Sequence, residues 1–183
     1  MKLFTIMLLL SFLAYTNAQA CYLLDNNENI TCVSSETNNE ASVSNKRYNR
    51  IVIDKQCFTL TVFDNEGKDI YHTICGVGLN HGQKKKSCDK RTPEGIFKIT
   101  EICNSKNWIH DFQDGHGARK GAYGPYFIRL KVDKFSGIGI HGTCFPMSIG
   151  SRCSDGCIRL KNEDVIEILK YVKIGDYVEI KPD

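Results

Sequence analysis

Residues 138–160 read IGIHGTCFPMSIGSRCSDGCIRL, and the rest of the chain is best read outward from them. Ile138-Gly139-Ile140 is a short strand-like run that delivers His141 into a Gly142-Thr143 turn. A loop with Pro146 and Gly150 follows, and then Ser154-Asp155-Gly156-Cys157-Ile158-Arg159. A cysteine nucleophile needs a base, a site for an oxyanion and something to hold substrate. His141 can supply the base, and its imidazolium would favour the Cys157 thiolate. Gly156 lets a substrate approach the backbone, and the amides near Gly156 and Cys157 can face an oxyanion. Arg159 stands two residues beyond Cys157, so on an extended chain both point to one face. Its guanidinium can fork onto a carboxylate. Each residue alone has a plainer explanation: a hydrogen-bonded structural histidine, or a cysteine in a disulfide. The combination and order give the chemical reading its weight.

Upstream, Ile51-Val52-Ile53 and Phe58-Thr59-Leu60-Thr61-Val62-Phe63 are β-branched and aromatic, as strands are. Asp64-Asn65-Glu66-Gly67 reads as a turn, and Ile70 to Val77 as the returning strand of a hairpin. Asn80 to Arg91 is a basic loop whose Lys84-Lys85-Lys86 run reads as a solvated face. Thr92-Pro93-Glu94-Gly95 turns into the strand Ile96-Phe97-Lys98-Ile99. Residues 104–124, with Trp108, His110 and His116, read as one long loop, and such loops are often functional. Tyr126 to Leu130 is a further strand. One helix is expected, capped by Asn162, with Val165, Ile168, Leu169 and Val172 on one apolar face. Tyr177 to Ile180 closes the chain as a strand. The class is mainly β, a mixed sandwich or small barrel with one or two helices.

The chain has 183 residues, enough for one domain with a real core. Its formal charge of +3 is too weak to indicate nucleic acid, and no basic, aromatic-interleaved groove is visible. Lys2, the apolar run Leu3 to Ala14, and Ala18-Gln19-Ala20 form a signal peptide over residues 1–20. No second apolar run of spanning length follows, so no transmembrane span is expected in the mature chain. Residues 21–48 are a polar segment, and residues 49–183 the catalytic domain. Cys21, next to the cleavage site, is a possible lipid anchor, although Leu is absent three residues before it. Asn29-Ile30-Thr31 matches a glycosylation acceptor that a bacterium would not use.

Nine cysteines in an exported chain point to disulfides. No Cys-x-x-Cys pair argues for zinc instead. Nine is odd, so one thiol is left over, and the motif assigns that role to Cys157. Cys57 and Cys75 fall nearly opposite across the expected hairpin. Cys144 and Cys153 bracket the loop between His141 and Cys157, and a bridge between them would hold base and nucleophile in register.

The 141–159 segment resembles the signature of the L,D-transpeptidase (YkuD-type) catalytic domain. That signature is His-Gly, a loop, then Ser/Thr-His-Gly-Cys, an apolar residue and Arg. The hairpin from residue 50, the 92–97 turn and strand, and Gly124-Pro125-Tyr126 are similar to further landmarks of that family. The resemblance implies that Cys157 attacks the carbonyl of the position-three diamino acid of a peptidoglycan stem tetrapeptide. D-alanine would leave, and an amine on a second stem would take the thioester, making a 3–3 cross-link. It implies His141 as base, Gly156 and Cys157 in the oxyanion region, and Arg159, Gly142 and Ser154 beside the substrate. It also implies Tyr126 lining the cleft, no metal or organic cofactor, and a periplasmic or envelope location. The same acyl-enzyme handed to water would make an L,D-carboxypeptidase or wall-linkage hydrolase. A disulfide-stapled, non-catalytic wall-binding domain is the reading of another class. One position departs from the signature: Asp155 stands where histidine is usual. Its charge would disfavour a thiolate unless it turns outward and leaves the work to His141.

Overall fold

The structure, a computed structural model, describes residues 48–112 and 115–183. The signal peptide, Cys21, Cys32 and the Asn29 acceptor lie outside the described residues. Twelve strands and one α-helix follow in order: β1 (Arg50–Asp54), β2 (Thr59–Phe63), β3 (Asp69–Ile74), β4 (Val77–Gly78), β5 (Gly95–Asn104), β6 (Ile109–Asp111), β7 (Ala118–Lys120), β8 (Tyr126–Lys131), β9 (Gly139–His141), β10 (Arg152–Ser154), β11 (Ile158–Arg159), α1 (Asn162–Ile168) and β12 (Tyr177–Ile180). The expected mainly β class is the one observed.

Eight strands form one sheet in the order β11-β9-β8-β5-β12-β1-β2-β3. The sheet is mixed, because β1 pairs parallel with β12 and β9 parallel with β11. Ile51, Ile53, Leu60, Val62, Ile128, Ile140, Ile158 and Ile180 alternate inward and join one buried cluster. Val165, Ile168 and Val172, from α1 and the turn after it, pack into the same cluster. That is the amphipathic face the spacing predicts. Among the described residues no helix is long and apolar enough to cross a membrane.

Several local expectations change. Residues 51–63 are not continuous strand. The Asp54 carboxylate accepts the N–H groups of Gln56 and Cys57 at 3.1 and 3.0 Å, which turns the chain between β1 and β2. The register pairs Thr59 with Ile74, and the Cys75 N–H donates to Phe58 O. Cys57 therefore lies in the turn beyond the ladder, and no Cys57–Cys75 bridge forms. Cys144 and Cys153 are also unbridged. Cys153 Sγ lies against Gly76, 2.5 Å from where a Cβ on that glycine would sit. All seven described cysteines are free, so parity does not single out Cys157. The 104–124 loop is partly strand: β5 runs to Asn104, and β6 and β7 make a small antiparallel hairpin.

Asn162 does not cap α1. Lys161 occupies that position without a side-chain cap bond. The Asn162 amide oxygen instead accepts the Thr143 N–H at 2.9 Å. It sits where Gly124 and Gly142 pass so closely that a Cβ on Gly124 would lie 2.6 Å from Gly142 Cα. This junction ties the helix start to the turn after His141. Ile140 lies directly beneath that turn and is fully buried. Ile140→Ala is expected to cost about 2–5 kcal/mol, read as a lower urea midpoint with an unchanged slope.

Candidate active site

Strands β8, β9 and β11 deliver the central residues. Phe127 on β8 and Arg159 on β11 both stand opposite His141 in register. The Phe127 ring stacks on the imidazole at 5.3 Å and 8°, and Tyr123 meets it edge-on at 5.0 Å. His141 Nδ1 lies 2.5 Å from the Gly142 carbonyl. A carbonyl only accepts, so Nδ1 carries the proton and Nε2 keeps its lone pair. Burial among these rings pulls the imidazole down to about 4, with the Arg159 and His110 charges acting the same way against the Gly142 bond. His141 is therefore neutral near pH 7.

Cys157 directly precedes β11 and lines a cleft of about 320 Å³ together with His141, Arg159, Ser154 and Asp155. Its Sγ–H donates to Gly137 O at 3.2 Å. Burial pushes the thiol up to about 11; the Gly139 amide, Arg159 and Lys84 act against the rise, and Asp155 adds to it. The resting pair is thus a thiol beside a neutral imidazole.

Arg159 is 8% exposed, and its Nε has no hydrogen-bond partner. Its guanidinium lies over the Phe112 ring at 5.6 Å. A desolvated cation with spare donors in a cleft is suited to a carboxylate. Among the described residues no group of three or more His, Cys, Asp or Glu side chains could hold a metal ion.

The family model for the L,D-transpeptidase catalytic domain matches residues 48–180. The chain belongs to the L,D-transpeptidase catalytic domain family. It is 45% identical over 92 residues to YkuD of Bacillus subtilis strain 168, across 50% of this chain and 52% of that protein. It is 27% identical over 143 residues to YqjB of the same strain, across 77% of this chain and 70% of that protein. Among solved structures it is similar to the helical cell shape determining protein Pgp2 of Campylobacter jejuni, with a TM-score of 0.57 and 21% identity over 74% of this chain and 48% of that one. It is also similar to L,D-transpeptidase 3 of Mycobacterium tuberculosis, solved with a faropenem-derived adduct, with a TM-score of 0.55 and 19% identity over 73% and 60% of the two chains. The chain thus spans about half the length of YkuD and of Pgp2.

Within this L,D-transpeptidase domain, several expected site residues take other places. The Gly156 N–H donates to Ser154 Oγ at 3.1 Å, and that hydroxyl donates to Cys157 O at 2.5 Å. Ser154 therefore clamps the turn before the cysteine, and the Gly156 amide is engaged in that clamp rather than held open for an oxyanion. Gly142 contributes its carbonyl to His141. Tyr126 packs against the core, and the tyrosine lining the cleft is Tyr123. Asp155 is exposed at the cleft wall, yet its charge still reaches the thiol.

The sequence reading missed the other walls. The β6–β7 hairpin supplies His110, with Phe112 just beyond β6, and the Tyr123 hydroxyl lies 3.1 Å from His110 Nδ1. Trp108 and His110, already picked out in a suspected functional loop, were the available signal. Lys84 also lines the cleft. It is buried and bonded to Asp89 at 2.8 Å, so the lysine run is not wholly a solvated face.

Gly156 has φ 134°, and a Cβ there would lie 2.7 Å from Arg91 O. Gly156→Ala is therefore expected to cost at least about 1–3 kcal/mol in backbone strain. The midpoint of its melting curve should fall below that of wild type.

Proposed function

We propose that this cleft is a cysteine acyltransferase site acting on peptidoglycan stem peptides. The observation that carries the reading is the His141 imidazole. It is neutral, its Nδ1–H is tied to Gly142 O, and it shares a cleft with the Cys157 thiol and the Arg159 guanidinium, whose Nε has no hydrogen-bond partner.

In the first half-reaction the Cys157 sulfur attacks the carbonyl of the position-three diamino acid. His141 Nε2 takes the thiol proton as the C–S bond forms. The amide N–H of Cys157 faces the developing oxyanion, with the Tyr123 hydroxyl as a second donor. When the C–N bond breaks, the imidazolium returns its proton to the departing D-alanine amine. The second half-reaction runs the steps in reverse, with an amine of a second stem attacking the thioester and losing its proton to His141. The product is a 3–3 cross-link with a free thiol restored. Arg159 binds a carboxylate of the donor. The substrate sets the place of action at the cell envelope.

Incubation with a carbapenem or penem should add one equivalent of drug mass to the peptide carrying Cys157. Cys157→Ala should show none, and His141→Gln should acylate about 10²–10⁴-fold more slowly. Purified tetrapeptide muropeptides, with and without an acceptor stem, test the outcome. Cross-linked dimers that appear only with the acceptor support transpeptidation. Tripeptide and free D-alanine at equal rates in both would instead make the protein a carboxypeptidase.

A further inference from the structure

The basic loop from Asn80 to Arg91 contributes a charged group that the reaction scheme above leaves unused. Lys84 sits with its side chain 4% exposed, bonded through Nζ to Asp89 Oδ1 at 2.8 Å. A second, longer contact runs from Nζ to Arg91 O at 3.5 Å. The ammonium also lies 5.3 Å from the centre of the Phe135 ring, another cleft wall. Asp89 is equally buried but does not line the cleft. Its carboxylate is held from behind by the N–H groups of Lys85, Lys86 and Arg91 at 2.7, 3.2 and 3.2 Å. The ion pair is therefore directional, with its positive end at the cleft and its negative end sunk in the loop.

The nucleophile needs such a charge. Asp155 stands where the family signature has histidine, and it lines the same cleft as Cys157. As Cys157 gives up its proton, a second negative charge develops beside that carboxylate. In a poorly solvated cleft the two repel unless cations face them. Among the described residues lining the cleft, the lysine and arginine side chains are Lys84 and Arg159. Arg159 is assigned to the substrate carboxylate, whose binding neutralises it.

We infer that Lys84 is a positioning residue for the nucleophile: oriented by Asp89, its ammonium offsets Asp155 at the Cys157 sulfur. This rests on the reading of Cys157 as nucleophile and adds the device that makes an aspartate tolerable at position 155. The other titratable groups lining the same cleft are His141 from β9, His110 from β6, Tyr123 from the segment before β8, and Cys88 from the basic loop. None of these is altered in the variants below.

The test is the rate of Cys157 alkylation by iodoacetamide at fixed pH values from about 7 to 9, below the ordinary lysine range, read by peptide mass spectrometry. Fragmentation separates Cys157 from the neighbouring Cys153. Lys84→Gln keeps an amide to bond Asp89, which retains its backbone donors. This variant is expected to lower the rate about tenfold, as an upward shift of about one pH unit in the thiol would. Asp155→Asn is expected to raise it by a similar factor, and the double variant to return close to wild type. If Lys84→Gln does not fold, Lys84→Gln with Asp89→Asn removes both charges of the pair, and the rate should still fall. A folded Lys84 variant with the wild-type rate overturns the inference. So does a double variant that stays where Lys84→Gln alone lies, because a structural effect is not cancelled by a charge change at Asp155. If the rates move as expected but wild type forms no acyl adduct, the Lys84 assignment stands and the acyltransferase reading fails.

Discussion

The site depends on the short parallel pairing of β9 with β11. Two registered pairs, Ile158 with Ile140 and Arg159 with His141, hold together segments separated by a sixteen-residue loop. Ile140 and Ile158 sit fully buried beneath the ladder. His141 and Arg159 face the cleft above it, and Cys157 lies just before the paired residues. The ladder and its buried isoleucines set the placement of His141 relative to Cys157, with the Ser154 hydroxyl clamping the turn before the cysteine, and no Cys144–Cys153 bridge is part of this arrangement. The Gly124–Gly142 contact and the Asn162 bond to Thr143 then fix where the chain leaves β9.

Rigid placement comes with desolvation, and desolvation sets the chemistry. Phe127 and Tyr123 enclose His141, and the same low-dielectric surroundings hold Cys157 as a thiol. A thiolate–imidazolium pair would demand two unsolvated charges before substrate arrives. In the reaction we propose, the neutral pair defers that cost until the C–S bond forms, when the negative charge passes to the carbonyl oxygen and meets the Cys157 amide and the Tyr123 hydroxyl. The tautomer matters here as much as the distance. With Nδ1–H committed to Gly142 O, Nε2 is the nitrogen left to act as base.

The strand pattern was legible wherever it ran four residues or more. Tyr126 to Leu130 and Tyr177 to Ile180 appear as read, because β-branched and aromatic alternation reports a half-buried pleat. The pairing of β4 with β10 was not legible, since elements of two or three residues carry no period. His141, Cys157 and Arg159 could be grouped from the sequence because they are adjacent along the chain to the ladder that brings them to one cleft. Lys84, His110, Phe112 and Tyr123 were not assigned to the site, because they come from loops whose composition is that of solvated surface. Asn162 was misread for a related reason: an asparagine at a helix start has the right chemistry for a cap, and only the fold reveals the competing Thr143 N–H. Counting cysteines could not single out Cys157 because parity carries no geometry.

The unbridged thiols bear on how such a nucleophile survives. Oxidation and disulfide exchange proceed through the thiolate. A thiol pushed up to about 11 is ionised at pH 7 only to roughly one part in 10⁴. Cys75 is fully buried and held higher still, at about 12. At rest, Cys157, half-buried on the cleft wall, is therefore held as a thiol. In the reaction we propose, reactivity returns when a bound acyl donor lets proton transfer to His141 and C–S bond formation occur together. On that reading burial, tautomer and charge balance act as one constraint, favouring a positioned carbonyl over a diffusing oxidant.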